Sequence, residues 1–247
     1  MQPVDMALEA GLLVMRNGGS TVAADRSLTN ILKGYQKEGV EVIWRLDFIA
    51  ATYMADGRSS TVVRRVGPIK TNLVRANEVA LLGERVANGE VPIAALSAEV
   101  KRIEQLPAPY NRWVVVAAAL STAACYSQVL GGDWGSLGIA SVAACVGQVL
   151  RSLLYSRDLS VGSVTLLCGV LSAMIASAGL RLGFSQAEPA TLIASVIYLV
   201  PGLPLINGFV DMISQRYLVV GVERTINAAF VFLILAAALA LAATVLL

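Results

Sequence analysis

The chain has 247 residues, 56% of them apolar, with a mean hydropathy of +0.69 and a formal charge of +2. That apolar excess is more than a soluble domain of this length needs, and no basic block offers a footprint for nucleic acid. Histidine is absent, which removes the commonest general base and the commonest metal ligand. Cys125, Cys145 and Cys168 lie in apolar segments without CxxC spacing and read as small buried hydrophobes. No Walker sequence, nucleophile elbow or paired-Asp cation loop appears, so no enzymatic activity, cofactor or metal is expected. Asp5 and Glu9 interrupt the first apolar stretch, so no signal peptide is expected either.

Charge is unevenly spread. Residues 1–112 hold 14 of the 19 Lys/Arg and 12 of the 17 Asp/Glu; the remaining 135 residues hold five of each. A charge in hydrocarbon costs roughly 2.5–3.5 kcal/mol even on the mildest scale, so such depletion is what a bilayer solvent selects. The sequence predicts a small cytoplasmic α+β domain (residues 1–106), a linker (107–112) and a membrane bundle of about five helices (113–247).

In the first part, Leu8, Leu12 and Met15 recur at helical spacing and Gly18-Gly19 ends that helix. Ser20 or Thr21 can cap a second helix bearing Leu28, Ile31, Leu32 and Tyr35, with Gly39 as its stop. From Val40 the period becomes two: Val42, Trp44 and Leu46 alternate with Glu41, Ile43 and Arg45, a half-buried strand. Phe48 to Met54 is a second strand, Asp56-Gly57 a hairpin turn, and Ser59 to Val66 the return strand. Helical spacing resumes at Leu73, Ala76, Ala80 and Val86, broken by Gly89, and again after Pro92 with Ile93, Leu96, Val100 and Ile103. The order is ααβββαα. Leu106 to Tyr110, with two prolines, ends it before Arg112-Trp113 enters the membrane.

Five apolar segments follow: Trp113–Leu130, Leu137–Leu150, Val161–Leu180, Thr191–Ile206 and Ile226–Leu247. At about 1.5 Å per residue most can span the hydrocarbon core. The second is short unless it recruits Trp134 or Leu153-Leu154, and is otherwise a re-entrant piece. Arg112, Arg151, Arg157, Arg216 and Arg224 fall on one side of the membrane and Arg181 on the other. This predicts a cytoplasmic N-terminal domain and an external C-terminus. Small residues such as Gly169, Ser172, Ala173, Ala176 and Ser177 suit close helix packing.

The densest signal is Leu199-Val-Pro-Gly-Leu-Pro-Leu-Ile-Asn-Gly-Phe-Val-Asp211. Pro201 and Pro204 each remove a backbone donor inside an apolar span, and Gly202 adds freedom between them. Broken helices of this kind build substrate and ion sites in secondary transporters. Asn207 and Asp211, four apart, share one helical face just past the break. A plain proline kink, with Asp211 already among lipid headgroups, is the competing account. Gln148 and Arg151 are further pathway candidates, against helix-to-helix hydrogen bonding and a positive-inside anchor. Gly131-Gly132-Asp133-Trp134 reads as an external turn, Ser121 and Ser127 as backbone-bonded serines, and Glu223 and Arg224 as the cap and anchor of the last span. Gly18-Gly19-Ser20-Thr21 before a helix can hold an anion on its amides, or be a glycine turn with an N-cap.

These residues resemble a known family. The Pro109 to Trp113 entry, Gly-Gly-Asp-Trp after the first span, and Val-Pro-Gly-Leu-Pro-Leu-Ile-Asn-Gly followed by Asp211 are similar to the threonine/serine exporters. The likeness is greatest to the larger subunit of the split type, linked in bacteria to succinate export. Full-length members carry two five-helix halves; this chain has the length of one, and its stretch before the first helix is short for the family. The resemblance implies an inner-membrane secondary transporter for small polar carboxylates (threonine and serine, or a dicarboxylate such as succinate), coupled to the proton gradient. It also implies completion by a small membrane subunit, with a homo-oligomer as the alternative, and a substrate site at Pro201, Gly202, Pro204, Asn207 and Asp211. The competing class is a membrane-anchored sensor or assembly factor working through its cytoplasmic domain, which needs no broken helix.

Overall fold

The computed structural model describes residues 3–246 except 38, 56 and 158. The chain is mostly helical, with one three-stranded antiparallel sheet near the N-terminus. It packs as two compact units, one formed by residues 1–109 and 202–226, the other by 110–201 and 227–247.

The first unit begins with α1 (Pro3–Arg16) and α2 (Thr21–Gly34), followed by β1 (Glu41–Trp44), β2 (Phe48–Ala55) and β3 (Arg58–Arg65). Next come α3 (Leu73–Ala87) and α4 (Ile93–Glu104). The period-two stretch has the alternation its sequence demands: Ile49, Ala51 and Tyr53 are buried while their neighbours are not. Val42 pairs with Ala51 and Trp44 with Ile49, which puts the apolar face of both strands on the same side. Gly57 sits in the left-handed region at the β2–β3 turn (φ +75°); its expected partner Asp56 lies outside the described residues.

α1 departs from a simple stripe. Ten of its 14 residues are buried, because it packs against α2, α3, α4 and β2 together. α2 stops at Gly34 rather than at Gly39, and Gln36 takes the left-handed conformation (φ 52°) that a glycine was expected to supply. The buried face of α3 is Ala76, Val79, Leu82 and Val86, and that of α4 is Leu96, Val100 and Ile103. Also in this unit are α9 (Gly202–Ile213) and the first turns of α10 (Leu218–Leu246).

The second unit holds α5 (Arg112–Val129), α6 (Trp134–Leu154), α7 (Val161–Arg181), α8 (Glu188–Val196) and the rest of α10. α6 touches α5, α7 and α8. Ala123, Ala140, Ala144 and Ala194 form one cluster there, small enough to let the helices approach closely.

Among the described residues α6, α7 and α10 are long and apolar enough to cross a membrane. The α8–α9 pair makes a fourth candidate if it is one broken span. α6 has 21 residues because it does recruit Trp134 and Leu153-Leu154, which gives it roughly 31 Å, enough for the hydrocarbon core. α5 is 18 residues long and is not among the candidates: Arg112, Tyr126, Ser127 and Gln128 dilute its apolar content. The last helix starts eight residues before the expected Ile226, so Glu223 and Arg224 ride inside it instead of capping it.

Candidate functional site

The Pro-Gly-x-Pro stretch is a helix stop followed by a helix start. After α8, a 3-10 turn (Ile197–Leu199) ends at Val200, whose extended backbone (φ −60°, ψ 128°) is what a following proline imposes. Gly202 is the first residue of α9 and Pro204 lies in its first turn, where a missing N–H breaks no helical bond. The carbonyl of Tyr198, freed by the break, accepts from Arg151 Nη1 at 3.1 Å. Arg151 also lies over the Tyr155 ring, 5.4 Å from its centroid.

α9 is amphipathic in the inverted sense. Its buried residues are Asn207, Gly208 and Asp211, while Ile206, Phe209, Val210 and Ile213 are exposed. A helix with polar groups inside and large apolar ones outside suits an apolar solvent rather than water. Its polar face packs against the first turns of α10 by near backbone contact: a Cβ on Gly221 would stand 2.6 Å from the Gly208 carbonyl oxygen.

The other neighbour of that face is the α1–α2 turn. α1 ends with Gly18 at φ +86° and the Gly19 amide donating to the Val14 carbonyl at 2.9 Å, a glycine-dependent helix stop. Ser20 is the N-cap of α2 and accepts from the Ala23 amide at 3.2 Å. Two of the amides that a helix start leaves over, Thr21 and Val22, donate to Asp211 Oδ1 at 2.9 and 3.2 Å. The Thr21 hydroxyl donates to Asp211 Oδ2 at 2.8 Å. One turn before Asp211 on α9, Asn207 Nδ2 donates to the Gly18 carbonyl at 2.7 Å.

Arg224 completes the cluster from α10. Its Nε stands 3.1 Å from Asp211 Oδ2, and its Nη2 donates to the Gly19 carbonyl at 3.2 Å. The Nε contact is a close ion pair between two buried groups. The side chains are 5% and 0% exposed, so the pair is shielded from water. The expected cap-and-anchor role of Glu223 and Arg224 is thus replaced: Arg224 faces Asp211, and Glu223 pairs with Arg45 on the β1–β2 turn. At the start of α10, Arg216 lies 3.5 Å from Asp25, which also accepts from Trp44 Nε1 at 2.8 Å. Burial, and next the hydrogen bond to Asp25, push the Tyr217 hydroxyl up from its ordinary value.

Of the residues picked from sequence, Asn207 and Asp211 come together on α9, while Pro201, Gly202 and Pro204 shape the break above them. Gln148 is buried on α6, one turn before Arg151. Around it in the second unit, Ser172 Oγ donates to the Ala143 carbonyl at 3.1 Å and lies 3.0 Å from the Tyr198 hydroxyl. Gly147 packs so tightly on Tyr198 and Ser172 that a Cβ there would overlap both hydroxyls. Asp133 N-caps α6 and takes Ser185 Oγ at 2.7 Å and the Gln186 amide at 3.0 Å, so the expected external turn is tied to the α7–α8 connection. Val22 and Tyr198 are the residues that sequence reasoning missed; Thr21 was read as part of a turn able to hold an anion or cap a helix, and Arg224 as an anchor, neither of them beside Asp211. The glycine turn ahead of Thr21, and a lone base in an apolar helix, were the signals that pointed towards them.

Comparison with known proteins gives the context. No solved structure matches the chain. It is 26% identical over 209 residues to the "Probable succinate transporter subunit YjjP" of Escherichia coli K12, covering 84% of this chain and 80% of that one. The protein of the same name in Klebsiella aerogenes is 25% identical over the same shares. The "Probable threonine/serine exporter" of Mycobacterium tuberculosis H37Rv is 23% identical over 92% of this chain but 43% of that protein. The threonine/serine exporter family itself matches residues 5–246. The chain is therefore a multi-pass membrane protein that belongs to the threonine/serine exporter family, a family of transporters rather than enzymes.

Proposed function

We propose that the chain is one half of an inner-membrane secondary transporter that exports small polar carboxylates, completed by a smaller membrane subunit. The substrates are threonine and serine, or a dicarboxylate such as succinate, and the proton gradient supplies the drive. The observation that carries this reading is α9: a helix beginning at a Pro-Gly-x-Pro break, apolar outside, and carrying a fully buried acid among polar groups inside. A simple anchor has no use for a break or for an ionisable group that costs so much to bury. The family match over residues 5–246, and the word "subunit" in the names of two relatives, support the export role and the partner.

In this reading residues 1–106 are the cytoplasmic domain, 107–112 the linker and 113–247 the membrane part. Its five spans are α5, α6, α7, the α8–α9 pair and α10, with the C-terminus outside. Pro201, Gly202, Pro204, Asn207 and Asp211 form the substrate site, Asp211 being the proton- or cation-responsive group. Gln148 and Arg151 extend the pathway, and a homo-oligomer is the alternative to a separate small subunit. The test is export of threonine and of succinate from cells or vesicles carrying this chain alone, or with the small subunit co-expressed. Export is expected only in the second case, with reporter fusions after Ser156 cytoplasmic and after Leu247 external. Fast transport by the purified single chain would overturn the split arrangement, and no export under either condition would overturn the function.

A further inference from the structure

Resting on the exporter reading, we infer that Arg151 and Gln148, three apart on α6, hold the carboxylate of the exported metabolite. Arg151 supplies the countercharge and Gln148 an amide N–H. Both lie in the second unit, on a helix long and apolar enough to cross a membrane. Residues three apart share a helical face, so one small molecule can touch both.

Each residue is short of what a carboxylate brings. Gln148 is 7% exposed, yet among the described residues its side-chain amide makes no hydrogen bond. A bond to a neighbouring helix, the ordinary account of a glutamine in such a place, is therefore absent. The amide is unpartnered without being sealed away, since its polar atoms keep some accessible surface. Such a group carries a desolvation penalty that a ligand removes. Arg151 is half-buried and, among the described residues, has no carboxylate within ion-pair distance, unlike Arg45, Arg216 and Arg224. The Tyr198 carbonyl and the Tyr155 hydroxyl accept one N–H each, at 3.1 and 3.4 Å, and leave the rest of the fork free. They hold the guanidinium in place without neutralising it.

The surroundings agree with this role. Arg151 and Gly147, four apart, both meet Tyr198 where the helix breaks after α8. Gln148 follows Ala144 by one turn, and Ala144 packs with Ala123 of α5 and Ala194 of α8. A planar fork beside an amide N–H matches the two oxygens of a carboxylate. The Gln148 carbonyl is then left to accept from a hydroxyl or ammonium group of the same molecule.

The test uses the full chain co-expressed with the small subunit. Uptake into inside-out vesicles gives KM and kcat, and calorimetry in lipid nanodiscs gives Kd. Threonine and succinate are the probes, with threoninamide and succinamide as carboxylate-free controls. Gln148→Met keeps the size and loses the amide; Arg151→Lys keeps the charge and loses the fork. Each should raise KM for the transported acid at least about tenfold, at unchanged kcat and membrane abundance. The amides should neither bind nor compete. Gln148→Glu gives Arg151 a built-in carboxylate, and should raise the unfolding temperature while abolishing binding. Where Arg151→Lys does not reach the membrane, the two Gln148 variants decide. Unchanged KM in both of them, losses confined to abundance or kcat, or amides that compete as well as the acids would overturn the inference. Binding with the expected pattern but no export by the wild-type pair would fail the exporter reading alone. Export with unchanged KM in the variants would fail this inference alone, and neither binding nor export would overturn both.

Discussion

Replacing Asp211 by asparagine tests whether a buried charge pair holds α9 to the α1–α2 turn. An asparagine Oδ1 can still accept from the Thr21 and Val22 amides, and the Thr21 hydroxyl can turn to accept from the new amide. What is lost is the negative charge opposite Arg224. Leaving one member of a buried pair uncompensated costs about 3–5 kcal/mol. Arg224 is 5% exposed, so water recovers little of that, while its surviving bond to the Gly19 carbonyl favours the lower end. The expected loss is about 3 kcal/mol. Arg224→Gln alone should cost less, about 1.5–3 kcal/mol, because Asp211 keeps its three donors. The double variant removes both charges and should be more stable than the two losses added together, with a coupling of about 2 kcal/mol. Denaturant unfolding in detergent, followed by tryptophan fluorescence, reads this directly. Trp44 is buried in the same unit at 6% exposure, whereas Trp113 and Trp134 are largely open at 59% and 82%. A loss below about 1 kcal/mol for Asp211→Asn, with strictly additive single variants, would refute the buried-pair account.

Gly147→Ala should lower stability by about 1–3 kcal/mol through overlap with the Tyr198 and Ser172 hydroxyls, and Tyr198→Phe in the same chain should restore part of it. Ser20→Ala removes the acceptor for the Ala23 amide and should cost about 1 kcal/mol in the same unfolding assay. The Gln186 amide, the Ser136 amide and the Ser185 hydroxyl hold the Asp133 carboxyl below its ordinary value. A lowered folded value means stability that is present above the unfolded carboxylate value, about 3.9, and lost as pH falls through the folded one. The gap between wild type and Asp133→Asn should therefore stay constant from neutral pH to about 4 and close below it; a gap that persists in acid would refute this.

Much of the first unit was legible because its elements obey local rules. Period-two alternation from Val40 to Leu46 needed only a pleated strand with one buried face, and the hairpins followed from the intervening polar residues. α1 was legible as a helix but not as a central one, since Leu8, Leu12 and Met15 already satisfy a single stripe. Burial of Ala7, Ala10 and Val14 on its other sides depends on where α3, α4 and β2 arrive. The start of α10 was misplaced for an electrostatic reason. Glu223 and Arg224 look like the end of a membrane segment when their solvent is taken to be lipid or water. Their actual surroundings are Arg45 and Asp211, and no window along the chain contains both partners.

The same blindness explains the site. Thr21 and Asp211 are 190 residues apart, so sequence offered two half-features, each with an ordinary explanation: a glycine turn with spare amides, and an acid beyond a proline break. Charge accounting narrows such cases further than motif reading does. The second part of the chain carries only five bases and five acids, and those that are buried must find partners or neutralise. Asp133 has a helix start and a serine, and Arg151 has a freed carbonyl, all within the second unit. Asp211 sits on a helix whose other polar residue, Asn207, is engaged with Gly18, so its countercharge has to come from another element of the same unit. Of the bases in that unit drawn from the apolar half of the sequence, Arg216 is exposed and paired with Asp25, which leaves Arg224. A guanidinium alone does not satisfy a fully buried carboxylate, whose two oxygens accept several hydrogen bonds. The remaining donors have to be groups that are themselves short of acceptors, and the first amides of a helix are such groups. Asp211, Arg224 and the start of α2 thus meet the needs that each of them brings.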